Sequence, residues 1–121
     1  MKISKVNFYP LRYGVVIIEI KSDNGLEGIG QFIGNSYLSQ KLYFKERLEK
    51  ILINEKININ EIWNKLYWNG LGKNGWLQVI SAIDIALYDL VSKNEKQPLY
   101  KFLKIKNKKK NSFILVNWSW I

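Results

Sequence analysis

Over the first third of the chain, apolar side chains recur roughly at every second position. Ile3, Val6 and Phe8 do so before Pro10 interrupts a first strand spanning Ile3 to Leu11. Gly14 to Lys21 holds the β-branched run Val15-Val16-Ile17-Ile18-Glu19-Ile20 and is followed by Asp23-Asn24-Gly25. Asn-Gly directly after such a run predicts a hairpin, with positive φ at the central turn residues. Leu26 to Phe32 is the returning strand, so the opening is a three-stranded antiparallel meander. Such a sheet has one apolar face and needs a helical layer to cover it.

The period then changes to helical. Ser39 to Ile53 places Leu42, Tyr43, Leu48, Ile51 and Leu52 near helical spacing. Asn60 is the expected N-cap of a second helix carrying Ile62, Trp63, Leu66 and Tyr67, with Glu61 at the positive end of its dipole. Gly70 to Gly75 reads as a loop. From Trp76 to about Lys93, Trp76, Val79, Ile80, Ile83, Leu87, Leu90 and Val91 make one apolar stripe. Ala82, Ile85 and Tyr88 predict a second, narrower strip on the other side, which asks for a second cover. Gln97-Pro98 ends this helix, and Leu99 to Leu103 forms a last amphipathic turn. The predicted fold class is therefore α+β: a meander packed on a helical bundle over 1–103, a lysine-rich connector at 104–111, and an orphan strand at 112–121.

Composition narrows the chemistry. The 121 residues include neither cysteine nor histidine, which removes disulfides, thiolate metal sites, imidazole ligands and the usual neutral-pH proton shuttle. A formal net charge of +9 raises the question of nucleic acid. Seventeen of the nineteen basic residues are lysine, however, and five of those crowd into Lys104, Lys106, Lys108, Lys109 and Lys110. Base and phosphate readout favours arginine, so nucleic acid is not the expected partner. Met1-Lys2-Ile3-Ser4 is no secretion signal, and the run Val15 to Ile18 is far short of the ~20 residues that cross a bilayer. A cytoplasmic, membrane-free protein is expected.

Motifs that suggest catalysis have plainer explanations. Asp84 and Asp89 lie about 140° apart around a helix and cannot converge on one metal or water. Asp84 is expected to accept a structural hydrogen bond, and Asp89 to pair with Lys93 one turn on. Gly28-x-Gly30 sits within a strand, which predicts a bulge or tight packing, not a phosphate loop. Lys73 has no Ser/Thr after a Gly-Lys pair, so Gly70 to Gly75 is not a P-loop. Trp118 and Trp120 are the right residues for base stacking but are read as strand residues.

Ser81-Ala82-Ile83-Asp84-Ile85-Ala86-Leu87-Tyr88-Asp89-Leu90, followed by Lys93, Pro98-Leu99-Tyr100 and Leu103, resembles a motif of the mandelate racemase/muconate lactonizing branch of the enolase superfamily. That family has a helix with an Ala-Ile-Asp/Glu-x-Ala-Leu-Trp-Asp core, a Gly-Lys, and a Pro-x-x-x-Leu-Leu-Gly-Gly exit. Gly28-Ile29-Gly30-Gln31 is similar to its Gly-x-Gly-Glu hairpin arm. Gln31, Tyr88, Ser92 and Lys104-Ile105 depart from the usual Glu, Trp, Gly and Gly-Gly. The likeness runs from Ile3 to Trp118.

The resemblance implies an N-terminal capping domain, truncated after the first strand (Phe113 to Trp118) of a (β/α)₈ barrel, a unit of about 250 residues. In the family, barrel carboxylates hold Mg²⁺, and barrel lysines or a histidine remove the proton next to a substrate carboxylate. Racemases, cycloisomerases and sugar-acid dehydratases share this step. The implication for this chain is no catalytic, metal-binding or cofactor-binding residue, with Mg²⁺ expected only in a full-length parent enzyme. The implied partner is a barrel in trans or lost, with self-association a further expectation. Two loops would choose the substrate, with Tyr9, Leu11, Arg12 and Tyr13 from the first and Asn35, Ser36 and Tyr37 from the second. Arg12 and Tyr13 are the strongest candidates. A stand-alone basic interaction module, or a non-functional gene remnant, is the alternative reading.

Overall fold

A computed structural model of the chain describes residues 1–34, 36–70 and 76–104. The connector beyond Lys104 and the orphan strand lie outside these residues. Strands β1 (Ile3–Pro10), β2 (Val15–Ser22) and β3 (Glu27–Ile33) form an antiparallel sheet in that order. Helices α1 (Tyr37–Tyr43), α2 (Glu49–Leu52), α3 (Ile59–Gly70), α4 (Trp76–Asn94) and α5 (Leu99–Phe102) follow. The architecture is α+β, as the hydrophobic pattern predicts.

Strict alternation drives β2 and β3. Val16, Ile18 and Ile20 are buried on one face of β2, while Gly28, Gly30 and Phe32 are buried on the same face of β3. The hairpin between them forms as predicted, but not with positive φ at both central residues. Ser22 N–H donates to Leu26 O (2.9 Å), and Gly25 alone has positive φ, at 87°. This is the three-residue loop that ends on a left-handed glycine. The free end of β1 is closed by the segment before α3. There Ile3 N–H donates to Glu55 O (3.0 Å) and Asn54 N–H to Ile3 O (2.8 Å).

Helix α4 lies directly on β3, and the two glycines explain how. A Cβ at Gly28 would stand 2.0 Å from Ala86 O, and one at Gly30 would stand 2.0 Å from Ala82 O. Tight packing, without a register shift between β2 and β3, is therefore what the Gly-x-Gly does. Ala82 and Ala86 complete the close approach, so Ala82 is wholly buried against the sheet. This corrects the expected second strip. Ala82 belongs to the sheet-facing side, Tyr88 is half-buried edge-to-face against Phe102 (centroids 6.1 Å), and Ile85 is 51% exposed. The remaining core joins Ile83, Leu87 and Leu90 of α4 to Ile62 and Leu66 of α3 and to Phe44, Leu48 and Leu52.

The predicted helix Ser39 to Ile53 starts two residues earlier and contains a π-helical turn, Phe44–Leu48, between α1 and α2. The buried positions explain it. Gln40, Phe44, Leu48 and Leu52 recur every fourth residue, so in a regular helix each would drift about 40° from the last. A wider turn restores them to one side. Leu42, expected in the core, is 58% exposed, whereas Phe44 is fully buried. Helix α3 also starts earlier than expected. Asn58 Oδ1 accepts from Glu61 N–H (3.3 Å), and Asn58 O accepts from Ile62 N–H, so Asn58 caps the helix and Asn60 lies inside it.

Candidate functional site

The loop after β1 and the loop after β3 emerge at the same end of the sheet, because Pro10 pairs with Val16 and Val15 pairs with Ile33. Leu11 N–H donates to Val15 O (2.7 Å), which closes the first loop around a short 3₁₀ turn, Arg12–Gly14. Inside that turn Tyr13 (φ 61°, ψ 30°) and Gly14 (φ 76°) are both left-handed. For a tyrosine this conformation costs about 1–2 kcal/mol. Gly34 N–H then donates to Gly14 O (2.7 Å) and fastens the second loop to the first.

The outcome is a small platform. Leu11 is 56% exposed and Tyr13 is 94% exposed, with Arg12 also in solvent. Among the described residues the Arg12 guanidinium has no ion pair. It therefore remains available to a carboxylate or hydroxyl ligand. Ser36 precedes α1, and its Oγ donates to Ser39 Oγ (3.0 Å). Tyr37 packs partly against the core beneath Lys41. Asn35 lies outside the described residues. Tyr9 stands apart on the outer face of the sheet, where its hydroxyl donates to Glu19 Oε2 (3.0 Å). That hydrogen bond raises the Tyr9 pKa, while the Asn7 amide, donating to the same carboxylate at 2.7 Å, is foremost in lowering that of Glu19. Tyr9 is thus oriented by the sheet and not by the loop.

The sequence pattern does not reveal the support beneath this platform. Gln40 and Gln78 meet there, with Gln40 Nε2 donating to Gln78 Oε1 (3.2 Å). The only signal in the sequence is a glutamine standing where the buried stripe of α1 calls for a leucine. Two surface clefts lie elsewhere, of about 570 Å³ beside the stacked Tyr43 and Trp76 and about 400 Å³ beside Tyr88 and Phe102, and neither is lined by Tyr9, Leu11, Arg12, Tyr13, Ser36 or Tyr37.

Elsewhere on α4, Asp89 Oδ2 pairs with Lys93 (2.8 Å) and also accepts Ile29 N–H (2.9 Å), so it secures the edge of β3. Asp84 has no hydrogen-bond partner among the described residues, contrary to expectation, and burial raises its pKa. No three carboxylates among the described residues converge on a point, and histidine and cysteine are missing from the sequence. Among the described residues no helix is long and apolar enough to cross a membrane.

The sequence profile of the mandelate racemase/muconate lactonizing enzyme N-terminal domain matches residues 11–103. The chain belongs to this family. Among curated proteins this family member is similar to the L-talarate/galactarate dehydratase of Salmonella typhimurium, 37% identical over 94 residues. That alignment covers 74% of this chain and 24% of the dehydratase. It is also similar to a D-mannonate dehydratase of Novosphingobium aromaticivorans, 33% identical over 73% of this chain and 23% of that protein. A mandelate racemase/muconate lactonizing enzyme from Bordetella bronchiseptica shares the fold, with a TM-score of 0.74 at 22% identity, over 86% of this chain and 33% of that one. The chain thus spans about a quarter of the length of the curated relatives it matches.

Proposed function

We propose that this chain is the capping, substrate-selecting domain of a sugar-acid dehydratase, acting in the cytoplasm and catalytic only with a (β/α)₈ barrel. The observation that carries this reading is the loop platform, where a strained turn holds Arg12 and Tyr13 in solvent beside a second, hydrogen-bonded loop. Exposed side chains positioned by rigid strands are the usual form of a selecting surface. An arginine with no ion pair among the described residues suits a polyhydroxylated carboxylate. Relatives named as talarate/galactarate, mannonate and galactonate dehydratases act on substrates of that kind. The barrel would supply the Mg²⁺ ligands and the base that removes the proton next to the substrate carboxylate. This chain would contribute the contacts that decide which sugar acid is held there. Leu38 (77% exposed), Trp68 (69%) and Leu42 (58%) make self-association the expected behaviour of the chain without a barrel.

The test is a chimera in which residues 1–103 replace the matching domain of the Salmonella typhimurium dehydratase. A soluble chimera should dehydrate a sugar acid, and Arg12→Ala within it should lower kcat/KM by about tenfold or more, mainly through KM. The 121-residue chain alone should show no turnover. A folded chimera that turns over no sugar acid, or whose activity ignores Arg12 and Tyr13, would overturn the proposal.

A further inference from the structure

We infer that Gln40 and Gln78 are positioning residues for the Arg12–Tyr13 turn, acting on it through Gly34 and Gly14. The line of contacts is continuous. Gln78, on α4, accepts a hydrogen bond from Gln40 (3.2 Å), which is 97% buried at 3% exposure on α1. The Gln40 amide oxygen fills the space above Gly34, where a Cβ would lie 2.6 Å from it. Gly34 N–H donates to Gly14 O at 2.7 Å, and a Cβ on Gly14 would stand 3.2 Å from Gly34 O. Gly14 is the residue after Tyr13.

Each member of this line is sterically fixed. Gly34 cannot move toward α1 without meeting Gln40, and Gly14 cannot move toward Gly34 without losing hydrogen-bond geometry. Gln40 occupies a slot in the stripe otherwise filled by Phe44, Leu48 and Leu52. A leucine there would complete the core, whereas a buried amide adds a desolvation cost that its hydrogen bonds must offset. A buried amide held by a directional hydrogen bond favours one arrangement where apolar packing tolerates several. That property suits a residue supporting a loop. Because Gln78 shares α4 with Ala82 and Ala86, which rest on the β3 glycines, the turn is referenced to the close approach of α4 and β3.

The consequence for substrate choice rests on the capping-domain reading, but the positioning does not. It is tested by amide hydrogen exchange in the full 121-residue chain. Gln78→Ala should speed exchange at Gly34 and Leu11 by about five-fold or more while leaving Ile18 and Leu87 unchanged. Gln78→Glu keeps an acceptor for Gln40 Nε2 and should restore both amides to within about two-fold of wild type. Gln40→Leu, which preserves volume, should reproduce the Gln78→Ala pattern. Unchanged exchange at Gly34 and Leu11 in both disrupting variants would overturn the inference. So would a uniform rise across the core, the mark of a merely structural role. Since exchange is read without turnover, this failure is distinct from an inactive chimera.

Discussion

Gly30→Ala is the sharpest perturbation of this fold. The added methyl would start 2.0 Å from Ala82 O, 2.9 Å from Ala82 C and 3.1 Å from Ala86 N. Ordinary contact begins near 3.4 Å, so strand and helix must separate by about 1.4 Å. The obstructing atoms are main chain, and no side-chain rotation relieves them. Separation also loosens Leu90, which packs beside Gly28 on the same face. Overpacking typically costs about 1–3 kcal/mol, and an obstruction by helix backbone belongs at or above the top of that range. At about 3 kcal/mol a domain of this size loses about 12–24 °C in Tm. Gly30 has no positive φ, so the cost is purely steric. Gly25→Ala is the matched control: nothing lies within 4 Å of its Cβ, and the φ of 87° leaves only strain of about 1 kcal/mol. Urea unfolding followed by circular dichroism measures both. A second substitution, Ala82→Gly, should not rescue Gly30→Ala, because the obstruction is the carbonyl and not the methyl. A Gly30→Ala cost below that of Gly25→Ala, or a rescue by Ala82→Gly, would refute the close-approach argument.

Asn58→Ala should cost about 0.5–1 kcal/mol by removing the cap of α3, while Asn60→Ala stays within about 0.5 kcal/mol; equal costs in urea unfolding would place the cap elsewhere. Burial raises the Asp84 pKa, so the folded state binds that proton more tightly than the unfolded chain. The buried charge therefore destabilises at neutral pH, and the effect fades as pH falls through the raised value toward the ordinary carboxyl range. Asp84→Asn should stabilise the chain at pH 7 and lose that advantage near pH 3, as parallel denaturation series at the two pH values will show. Tyr13→Gly should stabilise the chain by about 0.5–1 kcal/mol, since relief of left-handed strain outweighs the added flexibility of glycine; a loss of stability would mean the exposed ring makes contacts that matter to the fold.

Much of this was legible in the sequence because it depends on neighbours along the chain. Alternation gave β2 and β3, Asn24-Gly25 gave the hairpin, and the period of Val79, Ile83, Leu87 and Leu90 gave a buried stripe of α4. What escaped depends on residues distant in sequence. Ala82 looked like part of an outer strip because its small side chain carries little hydrophobic signal; its burial follows from Gly30, fifty-two residues earlier. Phe44 escaped because the neighbouring Leu42 and Tyr43 compete with it for the apolar face, and the π turn at Phe44–Leu48 is not visible in the sequence. At the candidate site, Arg12 and Tyr13 were singled out through the family resemblance, as residues of the loop after the first strand. Gln40 and Gln78 were not, since a glutamine on a helix ordinarily faces water.

The close seating of α4 on β3 also sets a timetable. Val16, Ile18 and Phe32 present an apolar surface once Ile33 has been synthesised, yet the helix that covers it ends at Asn94. At translation rates of roughly 5–20 residues per second, the finished sheet waits about 3–12 seconds for its cover. Few contacts nearer in sequence can substitute, because the glycine floor is shaped for that one helix. A nascent chain of this kind depends during that interval on whatever shields greasy surfaces at the ribosome, and its yield in a cell should respond to elongation speed between codons 34 and 94 as much as to the final stability of the fold.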